Sequence, residues 1–541
     1  MTAAADILSP VLVAPGTRGA PDRAVHKAPA LPRRGFREHL FIVPTFFIVL
    51  AIFAWFVTGG TWRLFSSEPL TGYYDAQARG MLHGRLDVPP SAISFEAFIR
   101  DGKSYGYYGV APALLRLPLV ALFPAMDGRW SRAFLLIACT LNVFFAYRFV
   151  LLLRESDTPS SRAEKRIFTL FILSAGLGST NLFMASRSYV YHEAIMWGAT
   201  FSLLFAYYLV LYVCRPSIRL LSVSGSLAFM AFFSRATAGA GTLLALCILT
   251  AMLLIAAWRR RSALGTERNK MAHGSTAEEC PTTAFGLSRL SHPFRHAALA
   301  GAIVFTTIAC YFAINYAKFR TFDGVPVRLY TQYLKNPERM KITGGRQIHP
   351  ENLGTGLSSY FGLRGVEVGP EFPWVYMTVS PPVFAGAAID VVEPTSSIPI
   401  SMPALFLLAC AGLWAVIRAR SPQACQLRLP VLCLLIGGCV VLVTVGITER
   451  YLHDFYPFLI VAGALGAVHF AAPGARGARA IGAALLLPLT LVGILLNAAF
   501  AYDYQREIVW GVPAATRAQL TDVRLAIDHA LHRERALPRE E

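Results

Sequence analysis

Four short clusters in the sequence combine residue types that could do chemistry. The first is Tyr73-Tyr74-Asp75-Ala76-Gln77-Ala78-Arg79-Gly80-Met81-Leu82. Its mix of apolar and polar positions suits a short amphipathic helix lying at a membrane surface. Asp75 falls near the start of that helix, where the helix dipole favours a carboxylate. Held just outside a bilayer, such a group could act as a general base; the bland alternative is a helix cap. The second cluster is Ser186-Arg187-Ser188-Tyr189-Val190-Tyr191-His192-Glu193. A helix start and the fork of an arginine both favour phosphate, and His192 and Glu193 add contacts for a sugar hydroxyl. Its bland reading is a water-facing cap beside a snorkelling arginine. In the third, Ser234-Arg235-Ala236-Thr237 interrupts an apolar hairpin, where an arginine must pair, snorkel or meet a lipid phosphate. The fourth, Thr448-Glu449-Arg450-Tyr451-Leu452-His453-Asp454-Phe455-Tyr456-Pro457, offers Arg450 as a further cation and Asp454 as a substrate contact. An interfacial salt bridge between Arg450 and Asp454 is an equal alternative.

The elements that must position these clusters are membrane-spanning helices. The chain has 541 residues, 55% of them hydrophobic and only 15% charged, against about 25% charged in ordinary globular chains. Its mean hydropathy is +0.48. Uncharged stretches of bilayer-spanning length fall near 40–60, 131–153, 166–184, 193–213, 218–234, 237–257, 297–316, 398–417, 429–447, 456–470 and 481–500. The segments 111–124 and 376–392 are apolar but short and interrupted by proline, and are expected to be interfacial or re-entrant. Disorder, a coiled coil and a secreted disulfide scaffold are excluded. The nine cysteines form no CxxC or Cys/His spacing, so neither zinc nor a disulfide framework is expected.

The net charge of +18 fits basic cytoplasmic loops and attraction to anionic lipid rather than nucleic acid. Arg- and Lys-rich segments alternate with poorer ones along the chain. This puts the N-terminus in the cytoplasm and, with about 11 spans, the C-terminus outside. The expected organisation is a cytoplasmic tail over 1–39 and a transmembrane module over 40–260 with its first outward loop at 61–130. A cytoplasmic loop over 261–295 follows, then a second module over 296–500 with an outward segment at 317–397, and an outward tail over 501–541. The fold class is all-α, a polytopic helical bundle with interfacial helices in its extracytoplasmic loops.

A first span, then an acidic residue opening an interfacial helix that ends in Met81-Leu82-His83-Gly84, then Tyr107-Tyr108-Gly109-Val110-Ala111-Pro112, resembles the GT-C superfamily of glycosyltransferases. That group includes the protein O-mannosyltransferases, the aminoarabinose transferase of lipid A and the mycobacterial arabinofuranosyltransferases. The resemblance implies a polytopic enzyme of a bacterial cytoplasmic membrane with its active site outside. It implies a polyprenyl-phosphate sugar as donor, and Asp75 and Glu193 as the acidic catalytic residues. Many members carry two adjacent acids in the first outward loop, whereas this chain has Asp75-Ala76. Residues 448–457 are similar to a late "RY…P" segment of the same group.

The resulting expectation is transfer of a sugar from a polyprenyl phosphate to an extracytoplasmic lipid, glycan or protein, with inversion at the anomeric carbon. Asp75 and Glu193 are the expected catalytic residues. Arg187, His192, Arg235 and Arg450 are expected to bind the donor phosphate, and Tyr74, Tyr108 and Asp454 the substrates. No cofactor and no metal are expected. The alternatives are a lipid or solute transporter, and a lipid-linked glycan ligase or polymerase built around Arg346, His349 and Arg364.

Overall fold

The computed structural model describes residues 36–531, apart from 69, 155–160, 273–289, 380, 420–421, 473–476, 507–511 and 513. Most of the N-terminal tail, the middle of the 261–295 loop and the end of the C-terminal tail therefore lie outside the described residues. The remainder is a helical bundle with three small two-stranded sheets. The longer helices are α1 Val43–Val57, α2 Tyr73–Leu82, α3 Ala111–Leu122, α4 Ser131–Leu153, α5 Arg162–Gly176 with its short continuation α6 Thr180–Ala185, α7 Val190–Cys214 and α8 Ile218–Ser234. They continue as α9 Ala236–Ala272, α10 Pro293–Phe319, α11 Pro403–Arg418, α12 Pro422–Cys439, α13 Tyr456–Ala471, α14 Ala478–Arg506 and α15 Ala514–Ala530.

Each of the eleven apolar stretches of the sequence is helical. Among the described residues six helices are long and apolar enough to cross a membrane; α1, α3, α8, α11 and the Leu427–Val443 stretch are shorter apolar helices. The chain is a multi-pass membrane protein. Local sequence sets where helices begin. Ser161 accepts from Glu164 N while the Glu164 carboxylate returns to Ser161 N, a reciprocal cap that opens α5. Proline stands in the first turn of α1, α10, α11 and α13, where its missing N–H costs nothing. Segment 376–392 is mostly irregular among the described residues. It enters as the end of strand β4 (Val375–Met377) and leaves as β5 (Val391–Val392), with no helix between them among the described residues. Its two prolines and Gly386 leave too short an apolar run for a helical turn to propagate.

Two helices occupy the centre. α7 and the segment Glu449–Ala471, which includes α13, are almost wholly enclosed, whereas α10 is mostly exposed. α13 packs on α4, α5, α7 and α11, so helices from both halves of the sequence share one core. The α11–α13 crossing is close because it is made of glycine. A Cβ at Gly412 would lie 1.9 Å from the Ala462 carbonyl oxygen, and one at Gly466 would lie 2.0 Å from that of Leu408.

The two long inter-helix segments meet on one side. Strands β1 (Phe98–Arg100) and β2 (Lys103–Tyr105) form a hairpin closed by Asp101-Gly102, both at positive φ. Phe98 pairs across to Tyr330 in the second segment, and Thr331 N donates to the Ala97 carbonyl. Strands β3 (Val366–Val368) and β4 pair antiparallel, and β5 pairs with β6 (Gly446–Ile447) in parallel. The terminal helix α15 joins them: Asp528 accepts from Phe372 N at 3.0 Å, and Arg524 pairs with Glu371. Segments 61–130 and 317–397 and the C-terminal helix thus lie against one another.

Candidate functional site

The two central helices begin next to each other, on the side where these segments gather. The start of α7 touches the turn Glu449–Phe455 that leads into α13. Every site residue expected from the sequence lies around this point, in two electrostatically different halves.

The first half is made of carboxylates. α2 runs from Tyr73 with Gly72 at its N-cap, which makes Asp75 a first-turn residue and not the cap. Its Oδ1 instead accepts from Arg116 Nη1 at 2.5 Å. Arg116 Nη2 reaches Glu193, in the first turn of α7, and also donates to Ser131 Oγ at 3.1 Å. Asp75, Arg116 and Glu193 are all fully buried. One guanidinium therefore holds two carboxylates, and Asp75 Oδ2 and Glu193 Oε2 have no hydrogen-bond partner among the described residues. Burial pushes the Asp75 carboxyl above its ordinary 3.8, and Arg116 works against that rise. The Tyr74 and Phe134 rings flank Arg116, at 5.6 and 4.8 Å from the guanidinium carbon.

Arg116 was not among the residues singled out from the sequence. Its signal was available: a lone arginine in Leu114-Leu115-Arg116-Leu117-Pro118 has to find a partner wherever that apolar segment lies. Its partners stand 41 and 77 residues away in the chain, beyond the reach of local pattern.

The second half is made of guanidiniums. Arg187 is buried, lies over the Tyr189 ring at 4.1 Å and donates to its hydroxyl, while its Nη1 has no partner among the described residues. His192 Nδ1 meets the Met184 carbonyl at 2.9 Å, its ring stacks on Tyr504, and its Nε2 has no partner among the described residues. Arg450 pairs with Glu393 at 2.6 Å and covers the Tyr191 ring at 4.6 Å. Arg235 holds Asp454 through Nε and Nη2, and Thr237 adds a third donor to that carboxylate at 2.9 Å. In place of the Arg450–Asp454 salt bridge that the sequence offered as one alternative, two different pairs stand here. Asp454, 2% exposed, is held by Arg235 and Thr237. Arg187 and Glu193 are buried, so the water-facing cap is not what stands here either.

A tyrosine shelf connects the halves. Tyr108 touches Tyr73, Tyr107 and Tyr191 ring to ring. Lys318 at the end of α10 pins this loop, donating to the Gly106 and Tyr108 carbonyls at 3.0 and 3.2 Å. At Gly109 a Cβ would fall 1.9 Å from the Phe233 carbonyl oxygen, so only glycine fits where the loop crosses α8. Glu96 accepts from Tyr108, Tyr330 and Gln332 and ties the two long segments together. Arg346, His349 and Arg364 do not converge: both arginines are exposed, and His349 is engaged by Thr343 and Glu351. Among the described residues no group of three or more His, Cys, Asp or Glu is arranged to hold a metal ion.

No protein-family model matches the chain, and no curated protein matches it. Among solved structures, it is similar to the archaeal oligosaccharyltransferase AglB of Archaeoglobus fulgidus in complex with an inhibitory peptide and a dolichol-phosphate. That likeness has a TM-score of 0.44 and 15% identity, over 87% of this chain and 58% of that one. The apo form of the A. fulgidus oligosaccharyltransferase gives 0.45 and 14%, over 91% and 60%. Its complex with zinc and sulfate gives 0.41 and 12%, over 92% and 57%. The chain spans less than two thirds of the length of each of these structures.

Proposed function

We propose that the protein is a membrane glycosyltransferase that moves a sugar from a polyprenyl phosphate to an acceptor hydroxyl on the outer face of a cytoplasmic membrane. The observation that carries the reading is the meeting of a carboxylate half and a guanidinium half at the start of the two innermost helices. A lipid phosphate needs cations and helix N-termini. An attacking hydroxyl needs a base that is held in place but not used up.

The acceptor oxygen attacks the anomeric carbon while Asp75 Oδ2 takes its proton. The bond from that carbon to the phosphate oxygen breaks, and its electron pair leaves with the polyprenyl phosphate. A single displacement inverts the anomeric centre. Arg116 holds the other Asp75 oxygen and fixes the direction of the free one. Arg187 faces the departing phosphate with its unpartnered Nη1, Arg450 and His192 stand beside it, and charge stabilisation there is worth most because the site is buried. Asp75 has no exposed surface, so an acceptor reaches it only when the first segment opens. Tyr74 and Tyr108 border that path. The acceptor is a lipid, a glycan or a protein.

The test is transfer of radiolabelled sugar from polyprenyl-phosphate hexoses and pentoses by the full chain in proteoliposomes. Label appearing in an acceptor fraction, and lost in Asp75→Asn, is the expected result. Counter-flow of intact lipid or solute without any glycosidic bond formed would replace the reading with a transporter.

A further inference from the structure

The far end of the bundle carries a cation that the transfer reaction does not use. Arg148 lies on α4, which begins at Ser131 beside Arg116. A rise of about 1.5 Å per residue puts Arg148 roughly 25 Å along the helix from there, near its other end. It opens into a groove of about 640 Å³ between α1, α4 and α7. The walls are apolar. Phe46, Phe47 and Leu50 of α1 face Phe144 and Leu151 of α4 at helical spacing, and Phe47 is 69% exposed.

Arg148 is half-buried, donates to the Tyr207 hydroxyl at 2.8 Å and lies over the Phe144 and Tyr207 rings. Among the described residues no carboxylate lines the groove and none forms an ion pair with Arg148. A guanidinium set back from the end of an apolar helix and facing lipid requires an anion. Basic pockets between transmembrane helices on the basic-loop side supply such a partner from lipid head groups.

We propose that this groove is a binding site for an anionic bilayer phospholipid, its phosphate on Arg148 and one acyl chain between α1 and α4. The aromatic flanks hold the guanidinium planar to the phosphate, and Tyr207 fixes one of its nitrogens so that the others point outward. The occupant is a lipid rather than a free anion because the walls beyond Arg148 are apolar over more than a helical turn. The site lies at the opposite end of α4 from Asp75, so it neither requires nor supports the transferase reading.

The experiment is native mass spectrometry of the full chain in detergent, titrated with phosphatidylglycerol or phosphatidylcholine of the same chains. The expected preference for phosphatidylglycerol is about fivefold, the ratio equivalent to about 1 kcal/mol for one basic side chain at anionic lipid. It should fall to near one in Arg148→Gln and persist in Arg148→Lys. Sodium chloride should erode it in the wild-type protein, a measurement that stands even where the Gln variant fails to fold. Equal binding of the two lipids by the wild type, or an undiminished preference in Arg148→Gln, overturns the proposal. Displacement of bound lipid by inorganic phosphate alone would assign the groove to a free anion, and selective retention of polyprenyl phosphate would assign it to the donor. Either result also overturns it.

Discussion

The two halves of the site are charged in opposite senses, and they are built differently. Around Arg116, two carboxylates share one guanidinium. In the other half, three guanidiniums share two carboxylates, since Arg450 and Arg235 have Glu393 and Asp454 while Arg187 has only a tyrosine among the described residues. The carboxylate half is fully enclosed and would be strained without its central cation. The guanidinium half is a set of separate pairs, each of which can be lost alone. A surplus of negative charge suits a group that takes up a proton, and a surplus of positive charge suits one that receives a phosphate. The contrast also predicts unequal sensitivity to mutation.

The largest effect belongs to Arg116. Replacing it with glutamine leaves two buried carboxylates facing each other, and breaking a buried ion pair costs about 3–5 kcal/mol. Arg116→Gln should therefore lower the thermal midpoint strongly or abolish folding, and adding Asp75→Asn and Glu193→Gln should recover most of the loss. Failure of the triple variant to recover would mean that Arg116 is held by packing and not by charge. Asp75→Asn comes next. It preserves shape and keeps an oxygen for Arg116, but cannot take the acceptor proton. Its kcat should fall at least about a hundredfold, the lower end for a lost general base, with donor binding little changed. Near-normal turnover would break the division of labour between the halves and move the catalytic role to Glu193.

How much of this was legible differs between the same two regions. The eleven apolar stretches could be read as helical from hydropathy, because a bilayer-length apolar run has few other structures open to it. Asp75, Arg187, His192 and Glu193 could be picked out because each sits beside a helix start, a local feature. Their partners could not. Arg116, Lys318 and Glu96 act across long stretches of chain, and spacing holds no record of such contacts. The partner of Asp454 was hidden for the same reason: Arg450 is four residues away, but the turn aims it at Glu393, and Arg235 arrives from the junction of α8 and α9.

Smaller effects separate the guanidiniums from one another. Arg187→Gln should raise the KM for the polyprenyl donor about tenfold, toward the lower end of what a charged hydrogen bond contributes, and leave kcat closer to normal. Arg235→Gln should do the reverse of a binding variant, lowering stability through the orphaned Asp454 while moving KM little. If both variants raised KM alike, the two cations would be one phosphate site and the ranking by existing partners would be wrong.

The pH dependence follows from the direction of the Asp75 shift. Its folded-state carboxyl lies above the ordinary 3.8, so the folded chain binds the proton more tightly than the unfolded one. Asp75's contribution to stability is thus most favourable below 3.8 and is lost as pH rises from there through its folded value. Activity runs the other way, since the base must be ionised. The acid limb of kcat/KM should lie above 3.8 and disappear in Asp75→Asn.

The smallest expected effect is that of chelation. Arg116 already stands between the two carboxylates and supplies the positive charge that a bridging ion would otherwise bring. The leaving group proposed is a phosphate monoester with Arg187 and Arg450 beside it, and guanidinium forks neutralise such an oxyanion directly. Transfer should therefore continue unchanged in excess EDTA. The sharper form of the test adds magnesium or manganese to Arg116→Gln, where the cation between the acids is gone. If chelation stops the wild-type enzyme and a divalent ion restores it, the carboxylate half works by holding a metal, and Arg116 is its gatekeeper rather than its replacement.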